Sequence, residues 1–360
     1  MRSAPAYYRT VCFRAMILSS NFPDNLRKIV CAVAASLCLF SASAARAQQG
    51  QEEPVETVNT NLVILNVGVA DRKGGAVTDL SRGDFNVYED GVKQSILNFE
   101  PAASPFSLVL LLDMSGSTLN FRNSLQLSAL RFIDALGPED RVEVVSFNDR
   151  VQTLQRFTTD RKKIAFAITD LAKGKGQTYL YKALDYSLQQ LAKEGKRRKA
   201  IVVLTDGLDT EMSNLDRQSA SQAGTNEEAV AAVKPEGAAA LRSVLDAADR
   251  QGVTIYPLAL PSADPKNLLP LTPQQAAIYT AARARMQTLA DRTGGRLHEI
   301  RRLEDMGRLY AEVAADMRTL YSIAYQSSNA RAHDGKWRAI NIEVTRADTI
   351  ARSRPGYYAR

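Results

Sequence analysis

The feature that most constrains the fold is a pair of continuously apolar segments, each of which ends in a carboxylate. The first is SLVLLLD (107–113), and the second is KAIVVLTD (199–206). A strand with apolar residues at nearly every position is usually covered on both faces, as in a parallel sheet flanked by helices. Amphipathic helix patterns lie between such strands, for example over 180–191. This alternation predicts an α/β fold with a doubly wound, mostly parallel sheet over residues 105–325.

The segments on either side of this region have a different pattern. Within 48–104, apolar residues alternate with polar ones over 63–69, and glycine-rich turns separate further short strands. Within 326–360, apolar residues alternate again over 340–344. Period-two alternation is typical of half-buried strands. We therefore predict a small β-sandwich-like unit that is formed by the N-terminal and C-terminal flanks together.

Residues 1–47 have the pattern of a secretory signal peptide. A basic pair, Arg27-Lys28, precedes an apolar run over 29–44, and an A-x-A cleavage site ends at Ala47. We expect an exported protein, periplasmic or secreted, with no stable membrane span after cleavage. An uncleaved membrane anchor is the alternative. The sequence leaves open whether Met1 or Met16 is the true start.

Charge and cysteine content narrow the function classes. The whole chain has a formal charge of +7, but removal of residues 1–47 lowers it to +2. The basic character therefore belongs largely to the leader, and we expect no nucleic-acid partner. All three cysteines precede residue 39, so the mature chain would have neither disulfides nor Cys-based metal or redox sites. The two histidines give little support to Ser–His–Asp chemistry.

The residues that could carry chemistry follow the predicted strands. Asp113, Ser115 and Ser117 form an Asp-x-Ser-x-Ser motif directly after the first buried strand. Thr178 precedes a predicted helix, and Asp206 ends the second buried strand. The carboxyl ends of parallel strands meet at one edge of a sheet, where ligands bind. Carboxylate and hydroxyl oxygens are hard ligands suited to Mg²⁺. Taken alone, the Asp-x-Ser-x-Ser motif could instead be a turn in which these side chains cap backbone N–H groups.

This set of five residues resembles the metal-ion-dependent adhesion site (MIDAS) of von Willebrand factor A domains. The order of predicted elements agrees with that family over roughly 105–325. The flanking segments DFNVYEDGVKQSILNFE (84–100), DGKWRAINIEV (334–344) and PGYYA (355–359) resemble those of exported bacterial proteins related to A domains.

The resemblance implies a role for each of the five residues. Ser115, Ser117 and Thr178 would be direct hydroxyl ligands of Mg²⁺, or of Mn²⁺ or Ca²⁺. Asp113 and Asp206 would bind the ion directly or through water. An acidic side chain of a protein partner would complete the coordination. The implied function is metal-dependent protein binding of the adhesion type, not catalysis.

Two other functions stay open. A metal-dependent phosphotransferase or hydrolase could use Asp113 as a nucleophile, although Ser115 stands where a companion acid is usual. A structural envelope protein would use the cation only to stabilise its fold. The sequence identifies neither the partner nor the oligomeric state.

Three local features carry their own expectations. Residues 208–235 are predicted to be a long polar loop, in which Asp209 is a solvated acid. The basic run 196–199 is predicted to be a solvated loop. Pro257 would lose a ladder hydrogen bond inside an interior strand, which puts the register of 253–260 in doubt.

Overall fold

The structure is a computed structural model that describes residues 62–169, 176–195, 197–263, 270–329 and 334–359. The predicted signal peptide, residues 1–47, lies outside the described residues, as do residues 48–61 of the N-terminal flank. Within the described ranges, no helix combines the length and the apolar character needed to cross a bilayer.

Strands and helices follow one another over the whole described chain. The strands are β1 (Leu62–Asp71), β2 (Phe85–Glu89), β3 (Val92–Gln94), β4 (Ile96–Glu100), β5 (Phe106–Asp113), β6 (Arg141–Phe147), β7 (Val151–Thr158), β8 (Arg198–Thr205), β9 (Val253–Ala259), β10 (His298–Glu299), β11 (Leu320–Gln326), β12 (Trp337–Val344), β13 (Thr349–Arg352) and β14 (Gly356–Tyr358). The α-helices are α1 (Arg122–Ala135), α2 (Arg161–Thr169), α3 (Leu180–Ala192), α4 (Thr210–Ser219), α5 (Asn226–Ala232), α6 (Ala239–Gln251), α7 (Pro273–Thr293) and α8 (Met306–Arg318).

The centre of the fold is a six-stranded sheet with the spatial order β10-β9-β8-β5-β6-β7. All neighbouring strands are parallel except β6 and β7, which are antiparallel. Every residue of β5 is buried. Leu108, Leu110 and Leu112 pack into one helical layer, whereas Val109 and Leu111 pack into the other. The structure therefore confirms the predicted doubly wound α/β sheet. Because helices cover both faces of β5, nearly every residue of this strand is apolar.

Pro257 is accommodated without a shift in register. It pairs with Val203 of β8, and the pairing of β8 with β9 is continuous on both sides of it. On the other side of β9, the two-residue strand β10 pairs only with Leu258 and Ala259. Among the described residues, β9 is therefore an edge strand at the position of the proline. Edge strands are where sheets tolerate proline.

The two flanks form two antiparallel four-stranded sheets, with the orders β13-β1-β11-β4 and β14-β12-β2-β3. Strand β11 belongs to this unit, since it pairs with β1 from Leu62↔Gln326 to Gly68↔Leu320 and also with β4. It starts at Leu320, six residues before the predicted boundary at 326. Leu320 continues the three-to-four-residue spacing of the buried positions in α8, such as Val313 and Met317. Hydrophobic periodicity alone therefore did not locate the end of this helix.

The flanking unit contacts the central domain at the end of the sheet where the parallel strands begin. Asn66 Nδ2 donates to Thr254 Oγ1 at the start of β9, over 2.7 Å. Arg354 pairs with Asp249 near the end of α6. Helices that follow parallel strands run back towards the strands' amino ends, so these contacts all lie opposite the carboxyl edge. The carboxyl edge is therefore left clear of these contacts.

The prediction of a solvated loop over the basic run 196–199 was wrong for Arg198 and Lys199, which belong to β8, whereas residue 196 lies outside the described residues. Arg198 begins β8 and is buried. Its guanidinium donates to the backbone carbonyls of Met317, Leu320 and Ser104. Carbonyl dipoles thus replace part of the hydration that the buried charge loses. The sequence pattern did not indicate this, because the carbonyls come from distant segments.

A buried carboxylate joins several strands of the flanking unit. Glu89 of β2 is fully buried. Its Oε2 accepts hydrogen bonds from Tyr325 Oη (2.8 Å) and Tyr357 Oη (2.9 Å), and its Oε1 accepts one from Ser327 Oγ (2.5 Å). The network connects β2 with β11 and β14, which lie in different sheets.

Removal of this carboxylate is expected to destabilise the protein strongly. The Glu89→Ala variant should lose about 3 kcal/mol of unfolding free energy, because three hydroxyl groups lose their acceptor. Urea denaturation would measure the loss. Glu343→Ala, at an exposed position of β12, is the matched control and should change stability by less than about 0.5 kcal/mol. Equal effects of the two variants would contradict the prediction.

Candidate metal site

The first part of the site is the turn that follows β5. Asp113 ends the strand and is fully buried. Its Oδ1 accepts a hydrogen bond from the backbone N–H of Ser115 over 2.9 Å. The Oγ atoms of Ser115 and Ser117 lie 3.1 Å apart. The turn thus brings the carboxylate and both hydroxyls of the motif into one small region.

Two residues that follow the turn donate hydrogen bonds to its backbone carbonyls. Thr118 Oγ1 donates to the backbone carbonyls of Asp113 (2.9 Å) and Ser115 (3.0 Å). The Arg122 guanidinium donates to the carbonyl of Met114 over 3.0 Å. These bonds hold the backbone of the motif, in which Ser115 is buried and Ser117 is exposed.

The second part is the end of the neighbouring strand β8. Leu112 pairs with Leu204 across β5 and β8, so the next residues, Asp113 and Thr205, are also neighbours. Thr205 Oγ1 donates to Asp113 Oδ2 over 2.6 Å. Asp206 follows and is 1% exposed. The two predicted carboxylates therefore lie at the carboxyl ends of adjacent strands.

Thr178 reaches the same edge from the start of α3. Its backbone N–H donates to Thr210 Oγ1 (3.0 Å), and its carbonyl accepts from the N–H of Thr210 (2.8 Å). The N–H of Tyr179 donates to the carbonyl of Asn148 over 3.1 Å. Thr210 follows β8 and Asn148 follows β6, the two neighbours of β5. Thr178 is thus held between loops that leave the sheet on both sides of Asp113.

The charges at this edge are incompletely balanced. Burial, and to a lesser extent the nearby Asp206 carboxylate, raises the pKa of Asp113 to about 7. Among the described residues, neither carboxylate forms an ion pair with a lysine or arginine. Arg122 is near Asp113 but donates to backbone carbonyls. A bound cation would stabilise such a pair of ionised, buried carboxylates.

The donor set suits a hard divalent cation. Two carboxylates and three hydroxyls provide only oxygen atoms, which favours Mg²⁺, Mn²⁺ or Ca²⁺ over metals that prefer nitrogen or sulfur. Over the described ranges there is no group of three or more His, Cys, Asp or Glu side chains that could hold a metal. Hydroxyl groups are therefore the side-chain donors that could accompany the two carboxylates at this edge.

The prediction of a polar loop over 208–235 was wrong, because this segment contains α4 and α5. Asp209 is buried and caps α4, since its side chain accepts from the N–H of Met212 over 3.1 Å. Burial raises the pKa of Asp209 above its usual value. Asp216 is also buried and forms an ion pair with Arg285 of α7. An Asp followed by an acidic first turn was the local signal for the start of α4.

Sequence reasoning missed one residue that touches the site. Ser262 lies after β9, and its Oγ donates to Asp206 Oδ2 over 3.0 Å. It belongs to no motif with the other residues. The only available signal was its position just beyond a parallel strand, which places it at the carboxyl edge.

Comparison with known proteins identifies a family for the segment that carries these residues. Residues 108–208 match the family model of the von Willebrand factor type A domain, a range that includes all five predicted site residues. This chain contains a von Willebrand factor type A domain. The A domain provides the central sheet strands β5 to β8, and the flanking sheets lie outside the matched range.

Relatives and similar structures cover different shares of the chain. The voltage-dependent calcium channel subunit alpha-2/delta-2 of Homo sapiens is 30% identical over 117 residues, which are 29% of this chain and 10% of that protein. The chain thus spans about a tenth of the length of that relative. The von Willebrand factor domain of the pilus tip protein Mfa5 from Porphyromonas gingivalis has a TM-score of 0.44 and 15% identity, over 59% of this chain and 95% of that one. A von Willebrand factor type A protein from Catenulispora acidiphila has a TM-score of 0.42 and 14% identity, over 84% of this chain and 64% of that one.

Proposed function

We propose that this protein is an exported, metal-ion-dependent binding module that captures an acidic side chain of a protein partner. A domains commonly mediate protein binding and are typically not catalytic. Two observations support the finer proposal. The Ser115 and Ser117 hydroxyls lie in the turn after Asp113, at the edge of the sheet where two buried carboxylates lack a basic ion-pair partner among the described residues. The backbone of Thr178 is hydrogen-bonded to Thr210 at the same edge.

Each residue would have a distinct part in holding Mg²⁺, with Mn²⁺ or Ca²⁺ as alternatives. Ser115, Ser117 and Thr178 would bind through their neutral hydroxyls, and Asp113 and Asp206 directly or through water. Mostly neutral ligands leave the ion with positive charge, which a partner's carboxylate can neutralise. Thr205 keeps Asp113 in place, since it donates to Asp113 Oδ2.

The position of Asp113 favours binding over catalysis. A nucleophilic carboxylate must present a free oxygen to its substrate. Asp113 is fully buried, and its two oxygens accept hydrogen bonds from Ser115 and Thr205. A role as a phosphotransferase nucleophile therefore has no geometric support, whereas a role in fixing a cation has. The flanking unit, attached at the opposite end of the sheet, leaves this edge accessible to a partner.

Capture of a protein partner should depend on the divalent cation. The purified protein, immobilised, is expected to retain partner proteins from an envelope extract in Mg²⁺ and to release them in EDTA. Ser117→Ala should retain at least tenfold less, because it removes one proposed ligand from the ion. Quantitative mass spectrometry of the eluates would measure the retention.

The matched control is Ser219→Ala, which removes a hydroxyl that donates to the carbonyl of Leu215 within α4. It should behave like the wild type. Equal retention in Mg²⁺ and EDTA would contradict the proposal. Stabilisation by Mg²⁺ without any retained protein would instead support a structural envelope role. Export would be tested by fractionation and N-terminal sequencing, with Gln48 expected as the first mature residue.

A further inference from the structure

The loop after β9 supplies a hydroxyl to the proposed cation site. Ser262 Oγ donates to one oxygen of Asp206, Oδ2, over 3.0 Å. The other oxygen, Oδ1, accepts from the backbone N–H of Leu208 over 3.1 Å. Asp206 is almost fully buried, so these two donors replace hydration that its carboxylate loses. Ser262 thus supports Asp206 in the way that Thr205 supports Asp113.

The backbone that leads to Ser262 is held against the site from two sides. The N–H of Leu260 donates to the carbonyl of Thr205 over 2.9 Å. The carbonyl of Leu260 accepts from Arg283 Nη2 of α7 over 3.2 Å. Leu260 is fully buried. Leu260, two residues before Ser262, is therefore bound to Thr205, the residue that donates to Asp113.

We propose that Ser262 is a sixth residue of the cation site, a positioning residue that holds the Asp206 carboxylate in the orientation needed to bind the ion. It lies outside the range 108–208 that matches the A-domain family, so this contact comes from a segment that the match does not include. The proposal rests on the proposed cation site and adds one described residue, Ser262, to it.

Loss of the Ser262 hydroxyl should weaken the site without unfolding it. Hydrogen bonds from outside the first ligand sphere orient ligating carboxylates, and their removal typically lowers metal affinity 10- to 100-fold. Ser262→Ala should therefore bind Mg²⁺ about tenfold more weakly, and Ser262→Thr, which keeps a hydroxyl, should restore most of the affinity. Isothermal titration with MgCl₂ and the Mg²⁺-induced shift in Tm would measure both.

A merely structural hydroxyl predicts a different result. It would lower the Tm of the protein in EDTA and leave the Mg²⁺ affinity unchanged, which would overturn the proposal. Ser219→Ala is the control and should match the wild type in both measurements. If the wild type itself bound no Mg²⁺, the proposed function would fail together with this inference. Normal Mg²⁺ binding by Ser262→Ala would overturn the inference alone.

Discussion

The Asp113→Asn variant is expected to melt at a higher temperature than the wild type in EDTA at pH 8, and to show no shift with Mg²⁺. In the metal-free protein, Asp113 is an ionised acid that is fully buried beside Asp206. Asparagine is neutral and nearly the same size, so it removes this unfavourable charge. The same change deletes a carboxylate of the proposed cation site. Stability without metal and response to metal should therefore change in opposite directions.

The pH dependence follows from the direction of the pKa shift. Asp113 has a pKa of about 7 in the folded protein, against a reference value of 3.8. Between these values, the folded state binds more protons than the unfolded state. Stability of the metal-free wild type should therefore fall as pH rises from about 4 to about 7. The full difference of about three pKa units corresponds to about 4 kcal/mol.

Differential scanning fluorimetry at pH 5, 6, 7 and 8, in EDTA and in MgCl₂, would test this prediction. Asp113→Asn should exceed the wild type by roughly 5 °C at pH 8 in EDTA, and the difference should shrink towards pH 5. Asp134→Asn, at an exposed position of α1, is the control and should show neither effect. A variant less stable than the wild type at every pH would mean that the Asp113 carboxylate is needed for its hydrogen bonds alone.

The sequence was sufficient to predict the carboxyl-edge residues because their placement follows from strand direction. Asp113 and Asp206 each end an apolar strand, and parallel strands bring such ends together. The pairing of Leu112 with Leu204 then makes Asp113 and Thr205 neighbours. Strand direction also places Ser262 at this edge, but it could not predict the contact with Asp206. That contact depends on how the chain turns after β9, where Leu260 is fixed by Arg283 of α7.

Helices α4 and α5 escaped prediction for a related reason. Much of the stability of short helices comes from tertiary packing rather than from propensity. Two buried alanines, Ala220 directly after α4 and Ala229 within α5, pack against Ala277 and Ala281 of α7, about 50 residues away in the sequence. Polar composition over 208–235 therefore indicated a loop, although the local start signals were present at Asp209.

The Arg285→Met variant is expected to lose about 3–5 kcal/mol of unfolding free energy. Arg285 of α7 donates through both terminal nitrogens to Asp216 of α4, over 2.7 and 2.5 Å, and both side chains are about 95% buried. Removal of the arginine leaves a buried carboxylate without its counterion, which is more harmful than loss of the whole pair. Urea denaturation would measure the change.

The double variant Asp216→Leu/Arg285→Met separates the two contributions. It removes both charges, so it should recover most of the stability that Arg285→Met loses. Equal losses in the single and double variants would show that packing, rather than charge, dominates this contact.

The pair also joins α4, which begins beside Asp209, to α7, which holds the loop of Ser262 through Arg283. We therefore expect Arg285→Met to weaken Mg²⁺ binding as well, and the double variant to restore it, because both loops around Asp206 depend on the distance between these two helices.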